Sequence, residues 1–192
     1  MTGREARSGR RGSRWSLAVW GAAALLMLTP AVAMQFSESM DWTAFDFALL
    51  GGLLGGLCLG FELAVRRSGS AAYQVAAGLA LTAMVLLILI NGAVGVIGSE
   101  DEAANLLFAG VLAVALVGAV VARFRPAGLA RAMLAAALAQ ALVPVAAWAL
   151  WPEARALIWS PQVLGLTAGF AATWLVSAWL FRRAAAQQSL AR

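Results

Sequence analysis

The sequence predicts an all-α, polytopic transmembrane helical bundle of six spans with both termini on the cytoplasmic side. Three observations predict it. Of the 192 residues, 62% are hydrophobic and 12% charged, where a soluble domain carries about half apolar and about a quarter charged residues. Six stretches are long and apolar enough to cross a hydrocarbon core of about 30 Å, which takes about 20 helical residues. The charges, finally, sort onto alternate loops.

The spans are read at 15–36, 44–65, 75–97, 104–122, 129–151 and 163–181. They leave an Arg-rich segment at 1–14, five loops of 6 to 11 residues and a tail at 182–192. None of these is long enough to bury a core of its own outside the bilayer, so function is expected in or at the membrane.

Orientation follows because positive residues are retained on the cytoplasmic side. Arg4, Arg7, Arg10, Arg11 and Arg14 precede the first span, and Arg66 and Arg67 follow the second. Arg123, Arg125 and Arg131 flank the fourth and fifth, and Arg182, Arg183 and Arg192 follow the sixth; only Arg155 of the 14 falls opposite. Glu38, Asp41, Asp46, Glu100, Asp101, Glu102 and Glu153, seven of nine acids, fall on the other face. The net charge of +5 therefore records topology, and no nucleic-acid partner is expected.

One alternative concerns the first segment. An Arg-rich stretch, an apolar run, Pro30 and Ala31-Val32-Ala33 resemble a signal peptide with an A-x-A site, and cleavage near Ala33 would leave five spans. At 22 residues the segment is longer than the usual signal core of about 7 to 15, which favours an uncleaved span.

The chain has neither Lys nor His, and Cys58 is its only cysteine. Lysine Schiff bases, imidazole ligation or base catalysis, internal disulfides and cysteine-held clusters are thereby removed. No catalytic constellation, cofactor or metal site is expected, and the chain is not read as an enzyme.

Most polar residues near the spans have structural readings. Thr43-Ala44-Phe45-Asp46 reads as a capping box for the second span, and Ser99-Glu100-Asp101-Glu102 as another ahead of the fourth. Glu62 and Arg66 are spaced for an ion pair on one helix face, and Arg131 can snorkel to the surface. Trp15, Trp42, Trp148, Trp151, Trp159 and Trp179 read as interfacial anchors. Pro30 and Pro144 fall inside spans as kink positions, and Ser160-Pro161 reads as the start of the last helix.

Asn91 and Gln140 are harder to absorb, because an amide deep in a span must find a partner across helices or serve a solute. Asn91, Gly95 and Gly98 would share one face of a third span running to Ile97, ahead of the acidic turn. Asn91, Gln140, Asp46, Glu100, Asp101 and Glu102 thus form the candidate polar cluster. Gly51, Gly52, Gly55, Gly56 and Gly60, with Gly95, Gly98, Gly165 and Gly169, are read as close-packing positions. They would serve packing inside the bundle, a membrane-protein partner or a homo-oligomer within the lipid bilayer.

The strings Met34-Gln35-Phe36, Asp46-Phe47, Glu62-Leu63 with Arg66-Arg67, Asn91 to Glu100 and Ala122-Arg123-Phe124-Arg125-Pro126 carry a likeness. On them the chain resembles an uncharacterised family of bacterial multi-pass inner-membrane proteins of about this length. The resemblance implies location in the bacterial inner membrane and no activity. Three functions are weighed on the residues themselves: a structural, assembly or partner-binding bundle first, a small-solute permease or channel-like component with an outward-facing polar path second, and an intramembrane enzyme last.

Overall fold

In a computed structural model, residues 5–36 and 42–190 are described, with side chains from Leu17 onward. Arg4, Glu38, Asp41 and Arg192 lie outside the described residues, as do the side chains of Arg7, Arg10, Arg11, Arg14 and Trp15. The regular elements among the described residues are all helical: α1 (Glu5–Ala33), α2 (Ala44–Arg67), α3 (Ala71–Ala93), α4 (Leu106–Val121), α5 (Pro126–Leu150), α6 (Arg155–Ile158) and α7 (Pro161–Leu190). Single 3-10 turns at Ala103–Asn105 and Pro152–Ala154 lead into α4 and α6. Five helical segments are long and apolar enough to cross a membrane: α2, α3, Ala103–Val121, α5 and α7. In α1 the apolar part is the shorter Leu17–Ala33.

The chain forms two compact units, Met1–Arg67 and Ser68–Arg192. In the first, α1 and α2 pair in antiparallel fashion: Cys58 Sγ lies 3.9 Å from the Val19 carbonyl, and the Met27 side chain packs where Gly51 has no Cβ. Thr43 and Asp46 close the start of α2 reciprocally. The carboxylate accepts from Thr43 N and Oγ1, both at 2.8 Å, and Asp46 N donates back to Thr43 Oγ1 at 3.4 Å.

The second unit is a four-helix arrangement in which α5 packs most extensively on α7, α3 on α7, and α4 on α5. Its buried positions advance alternately by three and four residues. They are Tyr73, Ala76, Ala80, Ala83 and Leu87 in α3, and Ala104, Phe108, Val111 and Ala115 through the start of α4. The same rhythm runs through Leu129, Met133, Ala136, Gln140, Val143 and Ala147 in α5, and Val163, Thr167, Phe170, Trp174, Ser177, Phe181 and Ala184 in α7. A 3.5-residue repeat is the seam of left-handed helix packing. The large side chains Phe170, Trp174 and Phe181 of α7 are accommodated because α3 and α5 bring alanine to the seam more often than any other residue.

Several boundaries differ from the sequence expectation. α3 ends at Ala93, so the shared helical face of Asn91, Gly95 and Gly98 does not exist. Gly95 and Gly98 instead take left-handed backbone, φ +70° and +68°, in a folded loop. Nor does Ser99-Glu102 form a capping box: no side chain caps the 3-10 turn or α4, and Ser99 O accepts from Glu102 N at 3.2 Å in a turn. The expected tail at 182–192 is helical through Leu190. At about 1.5 Å per residue α7 is about 45 Å long, beyond the hydrocarbon thickness of about 30 Å.

Candidate polar interior and its acidic cap

At one end of the second unit, the loop between α3 and α4 and the segment between α5 and α7 make a cap. Val96, Ile97, Ala104, Ala154 and Ile158 are buried in these connections. Gly98 sits so close to Leu157 that an added Cβ would lie 2.8 Å from Leu157 Cδ1. The organising side chain is Asn105. Its Oδ1 accepts from Val96 N at 3.1 Å and Ile97 N at 2.9 Å, while Nδ2 donates to Ile97 O at 3.1 Å and Ser99 O at 2.7 Å. One amide thus satisfies backbone groups of the loop that follows α3, which would otherwise be left unpaired in a buried turn.

Glu100 and Asp101 are exposed on this cap and Glu102 is half-buried. Arg155 closes the end of α5 from the same side, donating from Nε to Trp148 O at 2.9 Å with its guanidinium 4.9 Å from the Trp148 ring centre. The opposite end carries Arg123, Arg125, Arg131, Arg182 and Arg183, all exposed, with Arg183 stacked 3.7 Å from the Trp179 ring centre. There Tyr73 donates to Phe124 O at 2.9 Å and meets the Phe181 ring edge-on at 5.2 Å, fixing α3, the α4–α5 turn and α7 at one level.

Gln140 lies deep between these ends. It is 0% exposed, and neither Oε1 nor Nε2 has a hydrogen-bond partner. Thr167 at 6% and Trp174 at 0% exposure are in the same state, with Oγ1 and Nε1 unpartnered, as is Oδ1 of the half-buried Asn91. Counted from the Tyr73 level at about 1.5 Å per residue, Gln140 is about 20 Å along α5 and Thr167 about 21 Å along α7. Trp174 is about 10 Å and Asn91 about 27 Å from that level. The Gln140 amide and the Thr167 hydroxyl therefore share one depth on facing seams.

Leaving such groups unpaired costs about 2–7 kcal/mol each by transfer scales. The rest of the unit avoids that cost. Ser177 Oγ donates to Ala76 O at 2.9 Å across the α3–α7 seam, and Thr173 Oγ1 uses Gly169 O at 2.9 Å within its own helix.

Of the sequence candidates, then, Gln140 is buried and Asn91 half-buried in the helices of the second unit, while Glu100, Asp101 and Glu102 belong to its cap, and no hydrogen bond joins the two sets among the described residues. Asp46 belongs to the first unit, where Thr43 occupies it. Glu62 and Arg66, also in the first unit, pair at 2.7 Å on the helix surface. Gly51 faces Met27, whereas Gly52, Gly55, Gly56, Gly165 and Gly169 have nothing within 4 Å of an added Cβ. Sequence reasoning missed Asn105, Thr167 and Trp174. The signal for the latter two was the seven-residue repeat of α7, in which a Thr and a mid-span Trp occupy core positions. Among the described residues, no group of three metal-ligating side chains occurs. Compared with protein-family models, curated proteins and solved structures, the chain matches none.

Proposed function

We propose that this is a six-span protein of the bacterial inner membrane, with both termini cytoplasmic, whose role is assembly with a second membrane helix bundle, its own copy or another protein. The observation that carries this reading is the set of open glycine positions. Gly52 and Gly56 on α2, and Gly165 and Gly169 on α7, are exposed at i, i+4 spacing with no atom within 4 Å of an added Cβ. Small residues at that spacing let a partner helix approach to backbone contact. The seam packing of the second unit supports a rigid body over a moving one.

The test is assembly in nanodiscs and native membranes, read by crosslinking and native mass spectrometry. Gly165→Leu/Gly169→Leu or Gly52→Leu/Gly56→Leu is expected to abolish a complex that the wild type forms, with unfolding temperature little changed. A wild type that runs alone and crosslinks to nothing would sink the reading.

A second reading, passage of a small solute, is favoured by the unpartnered amide of Gln140 and the unpartnered Oδ1 of Asn91. Its test is glycerol or urea flux into proteoliposomes, and flux equal to that of empty liposomes would exclude it.

A further inference from the structure

The polar interior of the second unit can be taken further than either reading. Four side chains from three helices, Asn91 of α3, Gln140 of α5 and Thr167 and Trp174 of α7, carry unpartnered polar atoms in a unit where the hydroxyls of Thr173 and Ser177 bond backbone carbonyls. Thr167 shows the exception plainly. Thr173 on the same helix spends its hydroxyl on the carbonyl four residues back, whereas Thr167 Oγ1 makes no such bond. Gln140 offers both a donor and an acceptor, Thr167 either, Trp174 a donor and Asn91 an acceptor.

No charge accompanies them. Along their own helices the nearest charged residues are Arg131, nine positions before Gln140, and Arg182, eight positions after Trp174. A full charge at this depth would have no counter-charge on these helices, which favours an uncharged occupant over an ion. The surrounding seams are lined by Ala, Leu, Val and Phe, and because such interiors are close-packed any occupant must be small.

We infer that Gln140 and Thr167, flanked by Trp174 and Asn91, form an occluded internal site for a small uncharged molecule that both donates and accepts hydrogen bonds, of the size class of urea or glycerol. The inference rests on the polar interior invoked by the solute reading and not on passage, so loss of flux and loss of the site are separately visible.

The experiment uses the full chain in nanodiscs with Cys58→Ala, so that one engineered thiol reports. Thr167→Cys is exposed to neutral methyl methanethiosulfonate and to its trimethylammonium analogue, with Ala76→Cys as the packed control. The neutral reagent is expected to label Thr167→Cys roughly tenfold faster than Ala76→Cys, since exchange at a thiol depends on access. The cationic reagent should label neither, molar glycerol should slow the neutral reaction, and Gln140→Leu should bring it down to the control rate. Equal rates at both positions, or labelling by the cation, would overturn the site.

A second measurement stands even if the cysteine variant folds poorly. With no protein partner to lose, Gln140→Leu should leave the unfolding temperature unchanged or raise it. A marked fall would show that the amide pairs with the protein and would refute the inference.

Discussion

Asn105 does at one position what a capping motif does elsewhere. Because its amide makes four hydrogen bonds to Val96, Ile97 and Ser99, Asn105→Ala would strand two backbone donors and two carbonyls in the cap. The expected loss is about 3 kcal/mol, and Asn105→Asp should be no better, since it turns a donor into a second acceptor facing two carbonyls. Thermal unfolding in nanodiscs, with hydrogen exchange at residues 96–99, measures both. The glycines of the same loop should rank differently. Both take left-handed backbone, but at Gly95 an added Cβ runs into the Ser99 carbonyl, whereas at Gly98 it meets the movable side chains of Leu157 and Glu102. Gly95→Ala should therefore be the worse of the two, and an Ala at both positions should cost more than at Gly52, where the space is open.

Between helices, close approach is set by single small residues. Gly118 of α4 faces Ala132 of α5 so closely that an added Cβ would lie 2.6 Å from Ala132 Cβ, an atom that cannot rotate away. Gly118→Ala should push α4 from α5 at a cost of about 1–3 kcal/mol. Gly110→Ala on the same helix meets nothing within 4 Å and should be neutral or stabilise by up to about 1 kcal/mol. Comparing the two unfolding curves isolates the contact from helix propensity. The contrast also marks what a sequence can and cannot carry. Long apolar runs announced α2, α3, α4, α5 and α7, because hydrocarbon demands a helix wherever such a run crosses it. The end of α3 was not legible, since Val94-Gly95-Val96-Ile97 is as apolar in a buried loop as in a helix. The left-handed glycines Gly95 and Gly98 permit the loop, and the amide of Asn105 holds it. Gln140 stood out as an amide in a hydrophobic run. Thr167 and Trp174 did not, because a span threonine ordinarily bonds its own helix and a tryptophan ordinarily marks an interface; their state depends on the pairing of α5 with α7.

Whether the whole chain crosses the membrane six times turns on α1. Its described apolar part, Leu17–Ala33, would rise about 26 Å as helix, slightly short of a hydrocarbon core of about 30 Å, yet it is longer than a signal-peptide core. Packing argues for retention. Val19 lies at Cys58 and Met27 at Gly51, so α1 covers α2 over at least two turns, and removing it would strip the partner from the helix that holds Leu50, Leu54 and Cys58 buried. The proposed six-span topology makes a joint prediction for single cysteines placed in a Cys58→Ala background. An impermeant maleimide applied to intact cells should label Asp101→Cys and Glu153→Cys, whereas Ser8→Cys, Arg125→Cys and Ser189→Cys should react only after permeabilisation. Cleavage at Ala33 would remove position 8 from the mature protein and lower its intact mass, leaving the other four sites unchanged. Labelling of position 125 from outside would instead reverse the orientation, and with it the assignment of the arginine-bearing end to the cytoplasm.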